Sequence, residues 1–172
     1  MPGDRVPRAT VAPPGYGPWR LGMTKSEVQA VSEFGPYKVV PSTGGLETAN
    51  GVFEGRKTNV SFVFGEAELR KIQIWAYEGP SLEQAIDAAY RVHRFMTQNF
   101  GDVVSPTLSL GNPASDATFP ETLRTGLNRT PADGVAKFQM APGAMPKGYS
   151  VFCSFFRHPA HGYYVFLYVQ AP

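Results

Sequence analysis

An α+β domain built on antiparallel β-meanders, with two helices packed on one face in the order helix, sheet, helix, sheet, is the fold that three features of this sequence predict. The first is the stretch KTNVSFVFGEAELRKIQIWAY over 57–77. There Thr58, Val60, Phe62 and Phe64 alternate with Lys57, Asn59 and Ser61, and Ile72, Ile74 and Ala76 alternate with Lys71, Gln73 and Trp75. Period-two alternation of β-branched and aromatic residues marks half-buried antiparallel strands, and Gly65-Glu66-Ala67-Glu68 supplies the turn between them. The second is the stripe Leu82, Ala85, Ile86, Ala89, Val92, Met96 and Phe100, spaced three or four apart, which defines one apolar face of a long helix. The third is a run of further strand-like segments, broken by Pro- and Gly-rich turns, before and after that helix.

In chain order, the Pro- and Ala-rich residues 1–18 read as a flexible tail, followed by one α+β domain over 19–172. Its halves, 19–79 and 80–172, each start with a helix that ends in Phe-Gly (Phe34-Gly35, Phe100-Gly101) and continue into strands. Two copies of one unit and a single sheet with two helices on one face both fit. Thr24-Lys25-Ser26-Glu27 is a capping box: the threonine hydroxyl accepts the N–H of Glu27 while the glutamate reaches back. Val28, Val31 and Phe34 extend it to a helix over 25–34, which Gly35, as a left-handed cap, and Pro36 end. A strand follows over 37–40, then a turn at Ser42-Thr43-Gly44-Gly45 and a strand from Leu46. Asn50-Gly51 reads as a tight hairpin, because both residues tolerate positive φ, with Val52-Phe53-Glu54 returning.

The long helix is expected to start at a second capping box, Ser81-x-x-Gln84, and to end at Gly101. It presents Glu83, Asp87, Arg91 and Arg94 to water. The polar stretch 102–133 reads as loops with one strand at 122–128. Strands are then predicted over 134–140, 149–157 and 163–170, with His158-Pro159-Ala160-His161-Gly162 as the last turn.

A net charge of +2 with 17% charged residues, and no basic run longer than Arg56-Lys57 or Arg70-Lys71, argues against a nucleic-acid partner. No window approaches the ~18 apolar residues of a membrane span. The single cysteine, Cys153, lies in Val-Phe-Cys-Ser-Phe-Phe and reads as a small buried hydrophobe. A thiol there has no cationic neighbour to activate it.

His158-x-x-His161 reads as turn chemistry, and His93 as a partly exposed helix position, so no metal set is expected. The carboxylates Glu47, Glu54, Glu66, Glu68 and Glu78 fall at turns or on solvent-facing strand positions. None reads as a paired acid/base group. The glycine clusters at 15–17 and 44–45 lack the strand-to-helix setting and the lysine of a phosphate loop, so no cofactor is expected.

Lys71, Gln73, Trp75 and Tyr77 are the candidate binding residues. If Ile72, Ile74 and Ala76 face the long helix, alternation sends these four to the opposite side, where two large aromatics among polar neighbours suit protein recognition. The competing expectation is that the second meander folds over this face and makes Trp75 ordinary core.

The entry Trp19-Arg20-Leu21-Gly22-Met23-Thr24-Lys25-Ser26-Glu27-Val28, followed by Phe34-Gly35-Pro36 and a meander, resembles the opening of small bacterial envelope domains. These are the group of the outer-membrane assembly lipoprotein BamE and the β-lactamase inhibitor protein. The likeness covers about residues 19–77 and departs in having one short helix and no matching cysteines. It implies a non-enzymatic protein-binding module of an envelope or secreted system, of assembly, inhibitor or immunity type. Its partner would be another protein or a second copy of itself. The compartment implied is periplasmic or extracellular if a signal peptide precedes the chain, and cytoplasmic otherwise. The alternative is a small hydrolase or isomerase with its site in the 102–133 loops.

Overall fold

The computed structural model describes residues 14–105 and 118–172. The expected flexible tail lies outside these residues up to position 13. Its last part is ordered: β1 (Gly15–Tyr16) and β2 (Trp19–Arg20) form a small ribbon. Tyr16 anchors it, donating its hydroxyl to the Val52 carbonyl at 2.7 Å and packing its ring on Phe53 and Phe95. Trp19 is core, with its ring 4.9 Å from Phe62 and 5.1 Å from Phe34.

The capping box forms as expected, with Thr24 accepting from the Glu27 N–H and Glu27 accepting from the Thr24 N–H. The helix it starts, α1 (Lys25–Gln29), is shorter than the sequence indicates. A 3-10 turn over Ser32–Phe34 follows, and Gly35 is extended (φ −75°) rather than left-handed. Tertiary partners hold carbonyls of this segment that a helix ending at Phe34 would leave open as well. The Tyr37 hydroxyl donates to Val31 O, and the Thr48 hydroxyl donates to Phe34 O.

Eight strands make one antiparallel sheet: β3 (Lys38–Val39), β4 (Leu46–Phe53), β5 (Arg56–Gly65), β6 (Glu68–Gly79), β7 (Val103–Val104), β8 (Ala136–Pro142), β9 (Ser150–His158) and β10 (Gly162–Gln170). Their order is β3-β4-β5-β6-β10-β9-β8-β7. The two meanders, β3 to β6 and β7 to β10, therefore join edge to edge through the pairing of their last strands. The second meander extends the sheet and does not fold over the first.

The long helix α2 (Leu82–Phe100) buries Ala85, Ile86, Ala89, Val92 and Met96, as the stripe requires, and packs across β6, β8, β9 and β10. Ser81 caps it by accepting the Gln84 N–H at 3.3 Å. The reciprocal half of the expected box is replaced, because the Ser81 N–H goes to the Tyr77 hydroxyl at 2.9 Å. Gly101 ends the helix at φ 86°. Beneath α2 lie Ile72, Ile74, Val151, Cys153, Phe155, Val165, Leu167 and Val169, all buried, while Phe62 on β5 packs under Trp19 and Tyr37.

Three further expectations are corrected. The segment read as a strand over 122–128 is a helix, α3 (Phe119–Asn128). Phe119, Leu123 and Leu127 recur every four residues and bury against α2, with the Phe119 ring stacked on His93 at 4.6 Å. His93 is correspondingly buried, not partly exposed.

Asn50-Gly51 is not a hairpin turn but an irregularity inside a continuous β4, where the register steps from Thr48↔Val60 to Gly51↔Thr58. A Cβ at Gly51 would stand 2.4 Å from Val60 Cγ2, which explains the glycine. The actual turn is Glu54-Gly55, with φ of 49° and 75°, the two-residue form that matches strand twist.

Candidate functional site

The face of the sheet turned away from α2 is where the structure gathers side chains without a covering element among the described residues. Three of the four sequence-selected residues lie there. Lys71, Gln73 and Trp75 pair with Gln170, Tyr168 and Phe166 of β10, and with Val63, Ser61 and Asn59 of β5. Directly opposed residues in an antiparallel pair share a face. Ile72 and Ile74, between them, are fully buried on the helix side.

Tyr77 is on the other side. The β6–β10 register steps at this point, from Trp75↔Phe166 to Tyr77↔Val165, so Ala76 is the extra residue of a bulge. Val165 is buried under α2, and Tyr77 joins it, with its hydroxyl at the start of α2. At the bulge the Trp75 carbonyl accepts the Thr58 hydroxyl. A bulge shifts every later residue by one position, and strict alternation from Trp75 to Tyr77 cannot reveal it.

Five aromatics complete the face. Tyr164, Phe166 and Tyr168 come from β10, and Phe152 and Phe156 from β9. Trp75 meets Phe166 edge-on at 4.9 Å, and Phe166 lies 5.8 Å from Tyr164 and 6.0 Å from Tyr168. Tyr168 stacks on Phe152 at 4.6 Å, and Tyr164 sits 6.1 Å from Phe156. These six rings form one connected platform over β6, β10 and β9, each partly exposed. The sequence carried a signal for the second strand: GYYVFLYVQ is apolar at every position from Tyr163 to Val169, so an aromatic row must face away from the aliphatic one.

Polar groups fix the platform's edges. The Trp75 indole N–H donates to Ser61 Oγ at 3.1 Å. Lys71 Nζ stands 4.4 Å above the Tyr168 ring, a cation–π distance. Partial burial lowers the Lys71 pKa, and burial raises that of the Tyr168 phenol. At one end the His158 and His161 rings stack at 4.4 Å, with the Ala160 N–H donating to His158 Nδ1, which is turn chemistry.

Cys153 is fully buried and burial pushes its thiol pKa up, the reverse of what a nucleophile needs. Glu47, Glu54, Glu66, Glu68 and Glu78 are all exposed. Among the described residues no three His, Cys, Asp or Glu side chains converge as a metal set, and no helix is long and apolar enough to cross a membrane. Of the 102–133 segment expected to hold the alternative enzyme site, 106–117 lie outside the described residues. No protein-family model, curated protein or solved structure matches the chain.

Proposed function

We propose that this chain is a non-enzymatic protein-binding module whose docking surface is the aromatic outer face around Lys71, Gln73, Trp75, Phe166 and Tyr168. The observation that carries the reading is the six-ring platform, partly exposed and with ring geometry fixed by neighbouring strands. Rigid aromatic side chains lose little rotamer freedom on docking, and each offers ~150–250 Å² to bury. Lys71 and the Glu78 carboxylate supply a polar rim, the usual frame of a recognition patch. The resemblance of Trp19–Val28 to the entry of envelope domains favours an assembly, inhibitor or immunity role in a bacterial envelope or secreted setting.

Photo-crosslinking tests this reading. A photoreactive phenylalanine analogue is placed at Phe166 or Trp75, with a control at exposed Gln98 on α2, and the host cells are irradiated. A discrete protein adduct from the two face positions and none from Gln98 is expected. No adduct from either face position would remove the docking surface.

A further inference from the structure

We infer that the occupant of the outer face is a second copy of this chain, stacked face to face about a two-fold axis parallel to the strands, midway between β10 and β9. This rests on the docking reading above and specifies its partner. The ladder pairings place residues in rows that run across the strands. One row reads Glu78 (β6), Tyr164 (β10), Phe156 (β9), Lys137 (β8). The next reads Trp75, Phe166, Ser154, Gln139 on the same four strands.

The first row is charged at both ends, with opposite signs, and aromatic in the middle. Glu78 and Lys137 are exposed, and both point to the outer face, since their ladder partners Tyr164 and Phe156 do. A two-fold axis on the β10/β9 midline reverses the row onto itself. Glu78 then lies over the partner's Lys137, Lys137 over the partner's Glu78, and Tyr164 over the partner's Phe156. In the second row Phe166 falls over the recess at the partner's Ser154, the smallest residue of the two rows and itself buried between its neighbours, instead of over another ring. An isologous interface requires this self-complementarity, and aligned sheet-on-sheet packing at about 10 Å provides the geometry.

The area suffices. Four strands ~4.8 Å apart and roughly seven residues at ~3.3 Å rise give about 450 Å² of sheet plane per copy. Two copies bury about 900 Å² before side-chain relief is added, near the ~1,000 Å² at which specific interfaces begin. The centre of this area is aromatic and its ends are charged, which matches interface anatomy.

Sedimentation of the purified full chain is the test, with Lys137→Glu, Glu78→Lys and the double swap compared with wild type and far-UV circular dichroism as the fold control. Wild type should sediment as a dimer that dissociates on dilution. Each single swap places like charges over one another and should weaken dimerisation about tenfold or more. The double swap restores opposite charges and should recover dimerisation to within a few-fold of wild type. A wild type that stays monomeric at every concentration overturns the inference, as do single swaps that dimerise like wild type or a double swap that fails to recover. The crosslinking result separates the two levels: an adduct of Phe166 to a different protein removes self-association and leaves the docking face, whereas no adduct removes both.

Discussion

The two faces of β10 differ in kind within a single nine-residue strand. Val165, Leu167 and Val169 lie under α2 and are 0–3% exposed, while Tyr164, Phe166 and Tyr168 face outward and remain partly exposed. The inner face is aliphatic because it must interdigitate with a helix whose contact residues include Ala85, Ala88 and Ala89, where small and branched side chains allow close approach. The outer face is aromatic because its rings contact one another side by side across β6, β10 and β9, with nothing above them among the described residues. Folding explains the first arrangement fully. It explains the second only in part, since polar alternation would have served a water-facing sheet as well.

Substitutions measure how different the two faces are. The largest effect belongs inside. Phe62→Ala removes a fully buried ring in edge contact with Trp19 and should cost ~3–5 kcal/mol in denaturant unfolding. Ile86→Ala, on the buried face of α2, should cost ~2–5 kcal/mol. A loss under ~1 kcal/mol would break the helix-on-sheet packing. Trp75→Ala, on the outer face, should cost about 1–2 kcal/mol, because the ring contributes one edge contact and one hydrogen bond but is not enclosed. A loss equal to that of Phe62→Ala would erase the distinction between the faces.

Alkaline pH sharpens the contrast through groups on both sides. Burial raises the pKa of Cys153 on the inner face, of Tyr168 on the outer face and of Tyr16 at the ribbon, the last to about 12. A raised acid pKa means that the folded state holds the proton longer than the unfolded chain. Their contribution is whole below the unfolded values, ~8.5 for a thiol and ~10 for a phenol, and is lost progressively as pH climbs from there toward the folded values. The melting temperature should therefore be flat with respect to these groups at neutral pH and fall above about pH 9, and Cys153→Ala should soften the onset. A rise in stability across that range would contradict the burial of these groups. The smallest effect is expected at the rim: Lys71→Met should change stability by no more than ~0.5 kcal/mol, since the cation–π contact that is lost and the partial desolvation that is relieved oppose each other.

What the sequence determined alone was local. Alternation located the 57–77 hairpin, the apolar stripe located α2, and Thr24-x-x-Glu27 located the start of α1. Each depends on residues within a few positions of one another, so spacing carries the information. The Phe119, Leu123, Leu127 stripe was equally local and legible, but it was masked by the polar, Thr-rich composition around it. Only the tertiary structure decided which strands meet. The β6–β10 pairing joins residues about ninety apart, and it makes a platform of rings that no single segment contains. The bulge at Ala76 was beyond sequence too, because the Thr58 hydroxyl that occupies the Trp75 carbonyl arrives from the neighbouring strand. One inserted position there turned Tyr77 inward and left Lys71, Gln73 and Trp75 outside. Period-two alternation fixes faces only while the ladder stays in register, and the partner strand decides where register breaks.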